Sequence, residues 1–529
     1  MRPLSGNFGD LALEAVRNTP DKVALIGQNL EITYSQLHSR MNQAGNLFLR
    51  FGVQKGDRVA LLFQNDVRYI EIFFGLQKIG AVPVPLNAKL GADALAYIIE
   101  DSGAKILVSH RSWSTKAEQL HRTGRLEHVF IVGQPDEAGR FHPYEELARK
   151  EADALETVPV KGDDISFLPY TSGSTGKPKG CMLTHSGQWW NAETNRTVLQ
   201  IDREDRSLVA VPLYHKNAMV NAVKPGLLAG TSIVILPDFN PADVIEAIHR
   251  YRCTYLTGVP SMYKLLLNHY KLLENKREYD LTSLKFFAVA SSDVPPELVR
   301  DLQETFNVEV LESYGLTEGG PNVLATPRGR HRQGSAGLPL PGGEVKVVST
   351  DGSEQLVTDG SVGELWVRNP GVAKGYWNRP DTTKQKLTED GWLKTGDLAR
   401  MDRDGYVYII GRKDDMIITG GENVYPKEIE DILLKHEQIE DVCVVAVPHE
   451  VKGQVPVAFV KTSPGSQVTE QQIQQYFFQH GPAYAYPRKV IFIDRMPLSG
   501  TGKIDRSELS RMALEVAQKT GSLASGRGN

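Results

Sequence analysis

Two rhythms alternate along residues 31–110. In "YSQLHSRMNQAGNLFLRFG", Tyr34, Leu37, Met41, Gly45 and Phe48 recur every three or four residues, which predicts a helix with one face turned inward. "DRVALLF" then runs apolar without interruption, the pattern of a short strand buried on both faces. "VRYIEIFFGLQKIG" predicts a second helix closed by Gly80, "AVPVPLN" an extended piece, "GADALAYIIEDSG" a third helix and "AKILVSH" another strand. Strands separated by helices predict a parallel sheet covered by helices.

The rhythm returns over residues 205–311. "SLVAVPLYH", "TSIVIL", "CTYLTGV" and "LKFFAVA" are expected strands, with helices "PADVIEAIHRY" and "PELVRDLQETF" between them. From 334 to 411 short β-like pieces are punctuated by Gly and Asp turns, which predicts a β-rich subdomain. After "GRKDD" a mixed segment begins, with helices "PKEIEDILLKH" and "TEQQIQQYFFQH" and strands "VCVVAVP", "VPVAFVK" and "KVIFI". The expected class is α/β: a large N-terminal domain of helix-covered sheets with a β-rich subdomain, then a small α+β C-terminal domain.

Composition narrows the function classes. The 529 residues carry 60 Lys plus Arg against 64 Asp plus Glu, a formal charge of −4, which gives no general reason to bind nucleic acid. Cys181, Cys253 and Cys443 lie far apart and form no CxxC pair, so neither a disulfide framework nor a zinc site is expected. No apolar run has transmembrane length and no apolar signal core opens the chain. The expectation is a cytoplasmic enzyme.

"YTSGSTGKPKGCMLTH" (170–185) changes the picture. Glycines let backbone N–H groups approach an anion, and hydroxyls and lysines add donors and charge, so phosphate is the natural partner. This is not a Walker loop. Gly173 and Gly176 are too close, Pro178 follows Lys177, and "SGTGKID" fails because Pro497 stands where the first glycine belongs. A flexible surface linker is the plain alternative, although linkers rarely join an apolar strand to "CMLTH".

The stretch resembles the phosphate-binding signature of the adenylate-forming enzymes: acyl-CoA synthetases, luciferases and peptide-synthetase adenylation domains. "PLYH" (212–215), "SYGLTE" (313–318), "GWLKTGD" (391–397), "GRKDDMIITGGENVYPKEIE" (411–430) and "PLSGTGKIDR" (497–506) follow in family order. The resemblance spans about residues 30 to 510 and is nearest to the AMP-forming acyl-CoA ligases. It implies ATP, Mg²⁺ and CoA, and two half-reactions. A carboxylate attacks the α-phosphorus to give acyl-AMP and pyrophosphate, then a thiol takes the acyl group and releases AMP. It also implies an adenylation domain over 1–411, a hinge over 412–414 at Lys413 and Asp414, and a small mobile domain over 415–529.

Residue roles follow by resemblance. Thr171, Ser172, Gly173, Ser174, Thr175, Gly176 and Lys179 would cradle the β- and γ-phosphates, Thr317 the α-phosphate, and Glu318 a Mg²⁺ ion. Tyr314 would stack on adenine, with the backbone at Ala290 and Ser291 as the other wall. Asp397 would accept from the ribose hydroxyls and Arg412 would donate to ribose or phosphate. Lys503 would bridge the carboxylate and the α-phosphate. Gly420 and Gly421 would leave room for pantetheine. His215 would line the acyl tunnel.

The acid is poorly specified. His215, Lys216, Asn217 and Asn221 make the expected pocket wall more polar than a long-chain tunnel, which favours a short, branched, hydroxylated, cyclic or aromatic acid. Lys216 is expected on an exposed outer helix face, and Trp189 and Trp190 in the core. Gln454 stands where the family resemblance would place a glutamate. A stand-alone adenylating enzyme that loads a carrier protein is the main alternative. A luciferase-like oxygenase and a catalytically dead ATP-binding regulator fit less well. A homodimer is left open.

Overall fold

Unbroken apolar strands such as Phe286–Ala290, buried at every position, can rest only between two layers. The computed structural model describes residues 6–28, 30–133, 139–172, 177–290, 294–498 and 504–520. The chain divides into two compact units, one of residues 1–345 with 366–395 and one of 346–365 with 396–529.

In the first unit, nine described strands form one sheet. Its centre is parallel: Val23–Gly27, Ser232–Ile235, Arg206–Val209, Tyr255–Gly258, Phe286–Ala290 and Glu309–Tyr314. Parallel neighbours need long crossovers. Helices Pro241–Tyr251, Pro260–Leu272 and Pro296–Phe306 supply three of them, each starting with proline, which fits the first helical turn. A second sheet runs parallel in the order Val82–Pro85, Arg58–Leu62, Ile106–His110, His128–Val132, His142–Pro143.

The helix over Tyr34–Arg50 buries the predicted face, with Tyr34, Leu37, Met41, Gly45 and Phe48 all inside. Thr33 and Gln36 close a capping box at its start. Trp189 and Trp190 are in the core as expected, Trp189 edge-on to Phe8 at 5.3 Å.

In the second unit, Ile439–His449 and Gly453–Thr462 pair as a long hairpin, and Lys489–Phe492 joins parallel to it. Helices Pro426–Leu433, Glu470–His480 and Arg506–Thr520 complete the α+β arrangement. Arg506 grips both oxygens of Glu430, at 2.8 and 3.0 Å, and donates to the Val444 carbonyl. Both contacts come from the same nitrogen, Nη2, and the charge on each partner makes them stronger than neutral hydrogen bonds. The three cysteines are buried and unbridged, and no described helix is long and apolar enough to cross a membrane.

Candidate functional site

The carboxyl ends of the first unit's parallel strands are where ligands gather in open α/β sheets. Ala290 ends one strand and Tyr314 ends its neighbour, with Ala290 in register with Ser313. Just past Tyr314 the chain forms a tight turn over Thr317–Gly319. Gly315 is obligatory before it, because a Cβ there would lie 1.9 Å from the Pro321 carbonyl oxygen.

The Glu318 carboxylate is the centre of this turn. Its Oε1 accepts from the Tyr376 hydroxyl at 2.7 Å and from Thr171 Oγ1 at 3.4 Å. Its Oε2 takes no hydrogen bond among the described residues, which leaves that oxygen for a cation. The Glu318 carbonyl accepts from Ala373 N at 2.8 Å.

Thr171 belongs to a two-stranded hairpin in which Tyr170, Thr171 and Ser172 pair with Gly180, Lys179 and Pro178. Gly173, Ser174, Thr175 and Gly176 connect those strands and lie outside the described residues, as does Ser291. Lys179 Nζ stands 5.8 Å from the centre of the Tyr376 ring. The base of the hairpin is anchored. Tyr170 donates its hydroxyl to Asp101 at 2.8 Å, and Arg379 holds the other oxygen of that carboxylate at 2.7 Å. Burial and the Asp101 charge push the Tyr170 phenol above its usual range, so it remains a donor. Cys181, next along, is no nucleophile: burial and the Glu318 charge push its thiol well up.

Lys216 corrects the reading of an exposed outer-face residue. It is half-buried and donates to the Gly315 carbonyl oxygen. The cause is a helix that begins at Lys216 and widens into a π turn over Met219–Val223. Lys216 and Val220, with Asn217 and Asn221, then face a small pocket of about 10 Å³. Ala290, Gly315, Pro321 and Asn322 line its remaining sides. His215 caps the helix, its Nδ1 accepting from Asn217 N at 3.3 Å; it is not among the residues lining this pocket.

The second unit carries its own candidates. Asp397 and Arg412 are cross-strand partners, with Arg412 Nε 2.9 Å from Asp397 Oδ1. Lys413 Nζ reaches Glu364 at 2.9 Å, and its backbone N–H donates to the Gly396 carbonyl, so the stretch leading to Asp414 is tied down. Gly420 and Gly421 form the turn between Ile417–Thr419 and Glu422–Val424 with φ of +61° and +90°, a left-handed geometry that favours glycine. No atom lies within 4 Å of a Cβ built on either. Gln454 accepts from Ile418 N in the neighbouring strand. Lys503 lies outside the described residues. The described residues on either side of it meet, with Leu498 bridging Ile504 and Asp505 N donating to the Pro497 carbonyl at 2.8 Å.

Tyr376, Glu364 and Asn322 were not singled out by sequence. Each stands in an ordinary turn or strand segment, and nothing in local pattern separates a tyrosine that donates to the Glu318 carboxylate from one that packs.

Comparison with known proteins identifies the family and the fold. Residues 13–377 match the AMP-binding enzyme family and residues 428–503 the AMP-binding enzyme C-terminal domain. A feruloyl-CoA synthase from Amycolatopsis sp. is 35% identical, covering 95% of this chain and 98% of that one. ATP-bound MatB from Rhodopseudomonas palustris superposes with a TM-score of 0.88 at 29% identity, covering 96% of this chain and 99% of that one. The anthranilate CoA ligase AuaEII in complex with anthranoyl-AMP gives a TM-score of 0.88 at 29% identity over 98% of this chain and 99% of that one. The chain belongs to the AMP-binding, adenylate-forming enzyme family. Within it the chain is an ATP-dependent acid–thiol ligase of the AMP-forming acyl-CoA synthetase kind.

Proposed function

We propose that the protein joins a short, branched, hydroxylated, cyclic or aromatic carboxylic acid to CoA through an acyl-AMP intermediate, releasing pyrophosphate and then AMP. The observation that carries this reading is the grouping of Thr171, Glu318 and Tyr376 beside the hydroxyl-and-glycine hairpin, at the carboxyl ends of parallel strands. A carboxylate is a poor nucleophile and triphosphate is heavily charged, so the first half-reaction needs positioning and neutralisation more than covalent chemistry.

In this reading Thr171, Ser172, Gly173, Ser174, Thr175, Gly176 and Lys179 hold the β- and γ-phosphates and Thr317 the α-phosphate. Tyr314 stacks on adenine against the backbone at Ala290 and Ser291. Glu318 fits Mg²⁺ through Oε2, a hard oxygen donor whose partner oxygen Tyr376 orients. That ion would supply neutralisation of phosphate charge. Asp397 accepts from the ribose hydroxyls and Arg412 donates beside it. Lys503 bridges the two reactants. Gly420 and Gly421 admit the pantetheine arm, with His215 near the thiol. Lys413 and Asp414 are the hinge between 1–411 and 415–529. CoA is favoured over a carrier protein because the synthase and ligase relatives name CoA thioesters.

The test is Lys503→Ala. Acid-dependent ATP–pyrophosphate exchange should fall by at least about a hundredfold, the scale of one lost transition-state contact. Transfer from supplied acyl-AMP to CoA should persist. Normal exchange removes Lys503 from its role, and turnover to ADP and phosphate removes the whole reading.

A further inference from the structure

The pocket beside Gly315 is small and its floor is built of amides. Asn217 and Asn221 are each 2% exposed and Asn322 6%. Asn217 Oδ1 accepts from Asn221 Nδ2 at 3.2 Å and also from the Thr257 hydroxyl, while Asn217 Nδ2 donates to the Gly258 carbonyl at 3.0 Å. Asn221 Oδ1 accepts from Asn322 Nδ2 at 3.1 Å, and the second Asn322 N–H goes to Asn195 at 2.7 Å.

Each amide has two N–H donors and one acceptor oxygen. Among the described residues, Asn217 and Asn221 therefore each keep one N–H uncommitted. Asn322 has spent both, and its Oδ1 accepts nothing. All three residues line the pocket, with the Lys216 ammonium beside them and no carboxylate among the described lining residues.

A hydrocarbon chain laid on this floor would cover those groups and leave them unpaired, which is costly. An oxygen-bearing end would pair them. From this we infer that the acid carries a second oxygen function at its far end. That function is an acceptor, a carboxylate or a keto or hydroxyl oxygen, read by the Asn217 and Asn221 N–H groups and by Lys216. A hydroxyl would also donate to Asn322. The free space is about 10 Å³, room for a group the size of one water, so only the oxygen end of the acid enters it. The inference rests on the acid–CoA ligase reading.

The test uses the full chain with ATP, Mg²⁺ and CoA, reading AMP release over matched acids. Valerate is set against succinate, 4-oxopentanoate and 4-hydroxybutyrate, and benzoate against 4-hydroxybenzoate. In at least one series an oxygenated acid should exceed its alkyl or aryl match in kcat/KM by about tenfold or more, because a polar site rejects a ligand that leaves it unpaired. Asn221→Leu should erase that preference mainly through KM for the oxygenated acid. Lys216→Met should cost succinate more than 4-hydroxybutyrate. AMP formed best from unsubstituted acids by the wild type overturns this inference and leaves the ligase standing, whether or not the variants fold. No AMP from any acid overturns both.

Discussion

Two lysines are buried among the described residues of the first unit, and they are held in opposite ways. Lys78, 2% exposed, ends a core helix with its ammonium 3.2 Å from Asp10. Thr157 donates to the same Asp10 oxygen at 2.8 Å. Lys224, 1% exposed, has no acid within bonding distance among the described residues. It donates to Gln188 at 2.5 Å and lies 4.2 Å from the centre of the Phe167 ring, with Phe8 and Phe73 beyond.

Burial lowers the pKa of both. At Lys78 the Asp10 charge opposes the shift. At Lys224 only burial acts, and the pKa falls to about 7. A paired buried lysine is an anchor; an unpaired one is a proton-labile prop. The prop stands close to the site. Gln188 also donates to the Gly320 carbonyl, directly after the Thr317–Gly319 turn. Asn191 donates to the carbonyl of Asn322 on the pocket floor.

The contrast breaks most sharply at the anchor. Asp10→Ala should destabilise the protein by about 3–5 kcal/mol, because it strands a buried ammonium; denaturant unfolding measures this, and a loss under 1 kcal/mol would make the pair incidental. At the prop the outcome reverses with pH. Between about 7 and 10.5 the unfolded chain holds a proton that folded Lys224 has shed, so stability rises with pH over that window, and below pH 7 the full cost is present. Lys224→Met should therefore be more stable than wild type near pH 7, by on the order of 3 kcal/mol once the ring faces are counted, with the advantage closing toward pH 10. An advantage constant across that range would mean Lys224 does not change charge. The smallest effect is expected from Gln188→Leu, about 1 kcal/mol, the scale of one net hydrogen bond. It should lower the pH above which Lys224 is neutral, visible as a shift in the pH at which wild-type and variant melting curves converge.

Much of the frame was legible in sequence. The face of Tyr34–Arg50 and the strand Phe286–Ala290 follow from periodicity, since one buried face or two dictates the spacing of apolar residues. The hairpin around Lys179 was marked by its own glycines and hydroxyls, while Glu318, Asp397 and Arg412 were singled out only through the family resemblance. Lys216 was misread because local pattern cannot see Gly315, ninety-nine residues away, whose carbonyl draws the ammonium inward. Tyr376 escaped for the same reason, as its partner Glu318 is fifty-eight residues distant.

The sequence alone determined the alternation of strand and helix, the glycine-and-hydroxyl hairpin and the order of the charged groups, because each depends on neighbours within one turn or one loop. Only the tertiary structure decided which amides floor the pocket, which tyrosine orients Glu318 and which buried lysine has an acid. Those outcomes depend on burial and on partners brought together from far along the chain, and the strength of a charge or a hydrogen bond is set by what surrounds it.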